Sequence, residues 1–501
     1  MSPSDLMQLA LLAPAIGALL VNLTGRIPNL RDSVSTVTTL VTFYAVSQLL
    51  PHVLAGERPE LHVLTVMDGI DLSMKLEPLG MLYALVASGL WIITSLYAIG
   101  YMRGHHEENQ TRFFTCFALA IFAALGIAFA GNLFTLFLFY EVLTFSTFPL
   151  VTHHGTEKAM KAGRIYLGVL VTTSVALLLL GVVWTWAVAG TTEFQLGGIL
   201  AGKASPGVMT ALLVCYAFGT GKAALMPFHR WLPNAMVAPT PVSALLHAVA
   251  VVKAGVFTIL KVVVYVFGID TLQAGGHSNW LMWAASFTLL SASVIALTQN
   301  NLKARLAYST ISQLAYIVLG AAMATTAGVI GGGLHIVMHA VGKITLFFCA
   351  GAIYVGAHKT DVSQLNGLAR RMPFTMTAFT IGSLSIIGLP PFGGTWSKWY
   401  LALGAVETGQ PIFMAVLMIS SLLSIGYLMP IVVRAFFKAP DPDDHHHDDH
   451  HGDGHHAPKD GIAEAPLLCV VPLCLSAVGC LLLFFTSDLV IQLLTPITGA
   501  H

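Results

Sequence analysis

Five lysines lie within long apolar segments, where a charged side chain is costly. They are Lys222, Lys253, Lys261, Lys343 and Lys398. A charge at the centre of a bilayer costs about 2.5–3.5 kcal/mol on insertion scales, so such residues usually serve to move ions or protons. Glu141 is the one acid well inside an apolar segment. We expect function at Glu141 and Lys222, whereas snorkelling to an interface would explain Lys261 equally well.

A second group of ionisable residues follows helical spacing. His335, His339 and Lys343 are four residues apart, which places them on one slowly drifting stripe of a helix. The HxxxH spacing also suits a metal, but HIVMH lacks the glutamate of HExxH and no third ligand is near in sequence. A pair of hydrogen-bonded core histidines is a further alternative. We favour a proton relay, because imidazoles titrate near neutral pH, and His247 is expected on the same path.

Two of the apolar segments are interrupted close to a lysine. Lys222 precedes a break at Pro227, and Lys398 follows the sequence GLPPFGG, Gly388–Gly394. Proline cannot continue a regular helix. Broken helices at corresponding places in two halves are typical of inverted repeats with an ion site near the membrane midplane.

The composition indicates a polytopic membrane protein. The chain has 501 residues, of which 56% are hydrophobic and 10% charged, and its mean hydropathy is +0.77. Soluble domains carry about 25% charged residues. The six cysteines lie in apolar runs without a CxxC pair and are interpreted as core residues. Neither a complete phosphate-binding loop nor a redox-cofactor motif is present, so we expect no cofactor and no chemistry beyond ion movement by this chain alone.

The apolar runs predict an all-α fold of about fourteen transmembrane helices. We expect spans 1–3 in residues 1–110, a first five-helix repeat (spans 4–8) in 111–268 and a second, inverted one (spans 9–13) in 269–438. Spans 7 and 12 are the broken ones. A His/Asp-rich cytoplasmic loop at 439–461 and a last span in 462–501 complete the division.

The basic residues orient these spans. Of the 24 lysines and arginines, sixteen fall in one set of loops, three in the other set and five inside the spans. The positive-inside rule places the richer loops in the cytoplasm. We therefore predict a multi-pass protein of the cytoplasmic (inner) membrane with both termini on the outer side.

The His/Asp-rich loop has low complexity. Such a composition can hold divalent metal loosely, but a solvated linker explains it equally well. We assign it no role in transport. The histidines that would bind such a metal are His445, His446, His447, His450 and His451.

With these residues described, the chain resembles the proton-conducting antiporter family. That family includes large membrane-arm subunits of respiratory complex I, membrane-bound hydrogenase subunits and Mrp-type multisubunit cation/proton antiporters. The resemblance covers nearly the whole chain. It rests on LFYEVLTFSTFPL around Glu141, PFHRWLPNAMVAPTPVSALLHA after Lys222, VVKAG, HIVMHAVGK, and GLPPFGG followed by Lys398. Tyr140 stands where the family often has tryptophan.

The resemblance implies fourteen spans with two inverted five-helix repeats. It also implies a Glu141–Lys222 pair in one half-channel, Lys253 as a central relay, and Lys343 and Lys398 towards the second. We expect partner membrane subunits, protons and possibly Na⁺ as transported ions, and no nucleic acid.

The sequence favours the D-type component of an Mrp sodium/proton antiporter. A proton-pumping subunit of an NADH:quinone oxidoreductase or of a hydrogenase is the main alternative. A metal carrier and a subunit coupled to inorganic-carbon chemistry are further ones.

Overall fold

The computed structural model describes residues 1–67, 70–440 and 461–499. These residues are nearly all helical, and twelve helices are long and apolar enough to cross a membrane. Two shorter apolar helices, Pro206–Gly219 and Pro373–Ile387, accompany them. The prediction of an all-α polytopic membrane protein is confirmed. The exact number of fourteen spans, the boundaries of the two repeats and their inversion stay predictions.

We number the helices in chain order. The first group is α1 (Pro3–Leu23), α2 (Pro28–Leu54), α3 (Pro78–Gly104), α4 (Gln110–Phe129), α5 (Leu133–Val151), α6 (Glu157–Ala189), α7 (Pro206–Gly219), the short α8 (Trp231–Asn234) and α9 (Thr240–Phe267). The second group is the short α10 (Ile269–Gly275), α11 (Asn279–Thr298), α12 (Leu302–Met323), α13 (Thr326–Ala357), α14 (Pro373–Ile387), α15 (Gly394–Glu407), α16 (Pro411–Phe437), α17 (Leu467–Phe485) and the short α18 (Ser487–Leu494). The five histidines of the His/Asp-rich loop, from His445 to His451, lie outside the described residues.

Several helix starts are fixed by side-chain caps. Asn132, Thr156, Asn301 and Thr325 each accept a hydrogen bond from a backbone N–H in the first turn of the helix that follows. Such caps satisfy an otherwise unpaired donor and are typically worth about 1 kcal/mol. They begin α5, α6, α12 and α13, three of which carry residues of the site described below.

Three helices form the buried centre of the molecule. The most apolar window of α9 is 100% buried, and those of α12 and α13 are each 94% buried. Lys253, His335, His339 and Lys343 lie on α9 and α13. The candidate residues therefore lie in the protein interior and do not face lipid.

Both predicted interruptions occur, but the first begins earlier than the sequence indicates. Helix α7 ends at Gly219, before the expected break at Pro227. Lys222 lies in a 3-10 turn, Gly221–Ala223, which is followed by Ala224 with φ +53°. The second interruption separates α14 from α15 at Gly388, where φ is +89°. Both Lys222 and Lys398 thus sit beside backbone that has left the helical path.

Helix α9 packs directly against the first interruption, and a glycine permits this close approach. A Cβ atom placed on Gly255 would collide with the carbonyl carbon of Lys222 and the backbone nitrogen of Ala223. No side chain fits there without moving the backbone. Gly255 is two residues after Lys253, so the same contact brings the two lysine-bearing segments together.

A β-hairpin that the apolar runs do not predict lies between α2 and α3. Strands β1 (Glu60–Met67) and β2 (Ile70–Lys75) pair antiparallel, with Glu60 opposite Lys75. The prediction of a wholly helical chain does not include this element. The alternation of residue types around the sequence Asp68-Gly69 is a hairpin signal that a search for apolar runs overlooks.

Lys261 does not snorkel to an interface. It is fully buried, its Nζ donates to the carbonyl oxygen of Ala130 at 2.7 Å, and it lies 3.4 Å from Oε2 of Glu77. Glu77 directly precedes α3, and 6% of its side chain is exposed. The snorkelling interpretation is therefore wrong, and Lys261 joins two distant parts of the chain through a buried ion pair.

Replacing Lys261 with methionine should destabilise the fold. The change leaves the Glu77 carboxylate buried without its cation, and breaking a buried pair from one side costs about 3–5 kcal/mol. We expect a clearly lower melting temperature of the detergent-purified protein.

The matched control is Lys75→Met, because Lys75 pairs with Glu60 at 2.5 Å in a much more exposed position. Exposed pairs contribute under about 1 kcal/mol. Equal melting temperatures for the two variants would contradict a stabilising role for the Lys261–Glu77 pair.

Candidate functional site

Lys222 is held by the helix that carries Glu141. Its Nζ donates to the carbonyl oxygen of Tyr140 at 2.8 Å and to Oγ1 of Thr144 at 2.5 Å. It also lies 3.2 Å from the centre of the Tyr140 ring, and the Lys222 backbone N–H donates to the Tyr140 hydroxyl at 3.1 Å. Tyr140 therefore positions Lys222 through three separate contacts.

Glu141 does not touch Lys222 in this structure. Both of its carboxylate oxygens are buried without a hydrogen-bond partner, and the ion pairs among the described residues do not join it to Lys222. A buried carboxylate without donors is costly. The two groups belong to one site without direct contact, so a second state in which they pair would satisfy both.

Lys253 meets the histidine stripe directly. Its Nζ shares a short hydrogen bond with Nδ1 of His339, and both residues are fully buried. Nε2 of His339 has no partner, nor does either ring nitrogen of His247 on the same helix as Lys253. The rings of His247 and Phe347 are 4.5 Å apart. The centre of the molecule therefore holds three basic side chains with unused hydrogen-bonding capacity.

His335 continues the stripe towards the second interruption. Its Nε2 donates to Oε1 of Gln313 at 3.1 Å, and its Nδ1 lies 2.9 Å from Oγ of Ser397. Ser397 Oγ itself donates to the carbonyl oxygen of Gly394, so its oxygen remains free to accept. Both ring nitrogens thus face acceptors, which allows His335 to hold a second proton. The ring stacks on His339 at 5.8 Å.

Lys343 and Lys398 do not contact each other, and each has its own acceptors. Lys343 Nζ donates to Oγ of Ser309 at 2.6 Å. Lys398 Nζ donates to the carbonyl oxygen of Ile387 at 2.8 Å and to Oγ of Ser421 at 3.0 Å. The acceptors of both lysines are neutral groups. These contacts satisfy hydrogen bonds without neutralising charge.

A chain of hydroxyl groups extends from Lys343 along α16. Ser309 Oγ donates to the Tyr427 hydroxyl at 2.9 Å, which lies 3.0 Å from Oγ of Ser424. Ser424 in turn donates to the carbonyl oxygen of Ser420 at 2.9 Å. Since Lys343 donates to Ser309, each group can donate to the next. Such an ordered run of donors can pass a proton by successive transfers.

Tyr316 connects the histidine stripe with Lys398. Its ring stacks on His335 at 5.3 Å and lies 4.9 Å from Nζ of Lys398. Its hydroxyl donates to the carbonyl oxygen of Leu417 at 3.2 Å and lies 3.4 Å from Oγ of Ser421. The second interruption is thus joined to the molecular centre by an aromatic side chain that lies between His335 and Lys398.

Sequence reasoning found the ionisable residues and missed their neutral partners. The missed residues are Tyr140, Thr144, Ser309, Gln313, Tyr316, Ser397, Ser421, Ser424 and Tyr427. One sequence pattern could have revealed some of these partners: Ser420, Ser424 and Tyr427 lie at helical spacing on one face of α16. The partners on other helices leave no pattern in the sequence.

No metal-binding group of three or more His, Cys, Asp or Glu residues occurs within the part of the chain that the structure describes. His335 and His339 each have their own partner, Gln313 and Lys253. These contacts suit a relay and a pair of hydrogen-bonded core histidines alike, and the relay stays a prediction.

Comparison with known proteins identifies the family of this chain. The model of the family described as NADH:quinone oxidoreductase/Mrp antiporter, TM, matches residues 130–424. The NADH-quinone oxidoreductase subunit N of Desulforudis audaxviator (strain MP104C) is 36% identical and covers 69% of this chain and 69% of its own length. The Na⁺/H⁺ antiporter subunit A1 of Staphylococcus aureus (strain bovine RF122 / ET3-1) is 32% identical over 73% of this chain.

The chain matches less than half, 46%, of that antiporter subunit, and it spans about half the length of several other curated relatives that it matches. Among solved structures, a chain of the Mrp complex from Dietzia sp. DQ12-45-1b superposes with a TM-score of 0.85 at 24% identity. The match covers 100% of this chain and 97% of that chain. This likeness shows a common fold. Because the family model spans more than half of the sequence and subunit N is similar over most of both chains, this protein belongs to the NADH:quinone oxidoreductase/Mrp antiporter transmembrane family.

Proposed function

We propose that this chain is a proton-conducting subunit of a multisubunit cation/proton antiporter of the Mrp type, and that it is the D-type component of that complex. The observation that carries the proposal is the interior line of ionisable residues on α5, α9, α13, α15 and the turn that follows α7. Its members are Glu141, Lys222, His247, Lys253, His339, His335, Lys343 and Lys398. The similarity to an Mrp complex and to a Na⁺/H⁺ antiporter subunit supports the choice of complex.

In the first half, the position of Glu141 relative to Lys222 acts as the switch. When the carboxylate approaches Lys222, an opposite charge within about 4–6 Å favours protonated lysine. When the carboxylate moves away, Lys222 keeps only the neutral acceptors Tyr140 and Thr144. Its proton is then released more easily towards Lys253, whose segment packs against the same turn through Gly255.

In the centre, Lys253 and His339 exchange the proton across their hydrogen bond. Two routes continue from there. One leads from His335 towards Lys398, which lie on either side of the Tyr316 ring. The other leads from Lys343 through Ser309 and along the hydroxyl groups of α16. At about 100 mV, one charge crossing the membrane is worth about 2.3 kcal/mol, which is comparable to the energy of such contacts.

The cation is expected to cross elsewhere. A dedicated Na⁺ site needs several oxygen ligands, usually including carboxylates. Along the line described above, Glu141 is the single carboxylate. The sodium path therefore requires partner subunits, wholly or in part.

A second candidate is a proton-pumping subunit of an NADH:quinone oxidoreductase. The 36% identity to a subunit N over 69% of both chains favours it. The proton path would be the same, and only the partner chains would differ. Purification of the native complex distinguishes the two: small antiporter subunits support the first candidate, and quinone- and cluster-binding subunits support the second.

Glu141→Gln and Lys222→Ala should each abolish proton transport in the assembled complex while leaving its assembly intact. Each removes one side of the switch, so Lys222 can no longer alternate between two surroundings. Proton flux into liposomes, followed with a pH-sensitive dye, measures the effect.

The matched control is Lys161→Ala, because Lys161 is an exposed lysine on α6. Wild-type flux in Lys222→Ala would contradict the proposed path. Flux of protons and radioactive sodium should be followed together, since the antiporter function requires that both stop.

Tyr427→Phe should slow proton transport without abolishing it. The change removes one hydroxyl from the run between Ser309 and Ser424, and one hydrogen bond is worth about 0.5–1.5 kcal/mol. A fall of up to roughly tenfold in rate corresponds to that range.

Tyr44→Phe is the control, because it makes the same chemical change at an exposed tyrosine. An unchanged rate in Tyr427→Phe would exclude the hydroxyl run and leave the route from His335 towards Lys398.

A further inference from the structure

A cavity of about 360 Å³ opens at the end of the molecule opposite the β-hairpin. It is bordered by the loops that follow α3 and α5 and by the first residues of α9 and α12. The positive-inside rule assigns these loops to the cytoplasm. None of the residues discussed for the proton path lines this cavity, so its chemistry is separate from theirs.

One wall of the cavity carries a carboxylate surrounded by histidines, which we call the Glu107 cluster: Glu107, His105, His153 and His154. His105 Nδ1 lies 3.1 Å and His154 Nε2 3.2 Å from the carboxylate oxygens, and His153 Nε2 lies 3.8 Å away. Only 7% of the Glu107 side chain is exposed. Three imidazoles around one shielded carboxylate form a compact group that can bind and release protons.

The members of the cluster differ in proton affinity. Burial alone would raise the pKa of Glu107, but the hydrogen bond from His154 and the charges of the histidines lower it overall. The hydrogen bond to Glu107 raises the pKa of His154. Burial lowers the pKa of His153, whose Nδ1 has no partner. Of His153 and His154, His154 therefore binds a proton more readily, next to a carboxylate whose pKa is lowered.

Other charged and titratable groups face the cluster from the surrounding elements. Arg112 donates to the carbonyl oxygen of His153 at 2.8 Å. Lys303 donates to the carbonyl oxygen of Ala238 at 2.6 Å. The further groups that border the cavity are Lys158, Lys359, Tyr101 and Tyr354. The surroundings are thus mainly basic, which makes Glu107 the anion that keeps a proton in the cluster.

A polar stripe leads from the cavity towards the central lysine. Thr240 lines the cavity and begins α9, and Ser243 and His247 follow it on the same helix face. The distance from Thr240 to His247 along the helix is about 10 Å. Ser243 Oγ and both nitrogens of His247 are buried without partners. Buried polar groups are almost always hydrogen-bonded, so such a stripe marks a route for water and protons.

We propose that the Glu107 cluster is a proton-exchange site that takes protons from the cytoplasm and delivers them through the cavity and the Thr240–Ser243–His247 stripe to Lys253. This inference rests on the proposed function of proton conduction. In one exchange, an N–H bond forms on the ring of His154 as solvent gives up a proton. The same bond breaks when the proton passes into the cavity, and the imidazole returns to its neutral form.

The test uses Glu107→Gln in the assembled complex in liposomes, with the cavity side at alkaline pH and in weak buffer. Proton uptake from that side should fall by roughly tenfold or more, because a positioned acid–base group is lost. Concentrated mobile buffer on the same side should restore the rate to near that of the wild type, since buffer molecules then deliver protons to the cavity. Glu108→Gln is the matched control, an exposed neighbour that should behave like the wild type in both buffers.

The outcomes separate the two proposals. Absence of proton flux in the wild type would overturn the proposed function itself. Wild-type flux with an unchanged Glu107→Gln rate would overturn the exchange site alone, as would a slow rate that buffer does not restore. His154→Gln is the second variant if Glu107→Gln does not assemble, and the same buffer rescue is expected. Ser243→Val should slow transport in both buffers. Ser243 lies between the cavity and His247, and buffer molecules deliver protons only as far as the cavity.

Discussion

The cost of an uncompensated charge in a buried interior governs this structure. Among the lysines within the spans, Lys261 alone has a carboxylate within ion-pair distance in the described part of the chain. The others rest on carbonyl, hydroxyl or imidazole groups. These acceptors stabilise the proton locally but leave its charge unbalanced. Two charges 10 Å apart at an effective dielectric constant of 20 repel by about 1.7 kcal/mol. A proton on one lysine therefore favours loss of the proton from its neighbour.

The helix interruptions follow from the same constraint. The last carbonyls of a helix have no partner within that helix and are free to accept from side chains. At the end of α14, the carbonyl of Ile387 has no helical partner and accepts from Lys398. At the other break, Lys222 lies in the turn itself, where its own backbone N–H reaches Tyr140. Thus the second break supplies a backbone acceptor to Lys398, and the first break brings Lys222 against the acceptors of α5.

The sequence reveals those residues of the site whose side chains cost much free energy in an apolar helix. It does not reveal those that such a helix tolerates. The buried lysines could be predicted because a charged side chain in a span costs free energy and is usually kept for a function. The histidines could be predicted because their spacing is helical. The hydroxyl groups were missed because serine, threonine and tyrosine are tolerated in apolar helices without any special purpose. Ser309 and Tyr427 meet only when α12 packs against α16. The role of Lys261 stayed open because its partner, Glu77, precedes a different helix far away in the chain. The β-hairpin was missed because its strands are too short to resemble spans.

The two halves of the site are not equivalent, although both place a lysine at an interruption. Glu141 lies on the helix that holds Lys222, so a movement of one side chain changes the charge around that lysine. Lys398 has no comparable carboxylate among the described residues near it; its neighbours are Ile387, Ser421 and Tyr316. Its affinity for a proton must then depend on the charge of His335 and on whether the central lysine is protonated. In the first half, a movement of the Glu141 side chain can therefore change the proton affinity of Lys222. In the second half, the proton affinity of Lys398 changes when a proton arrives from the first half.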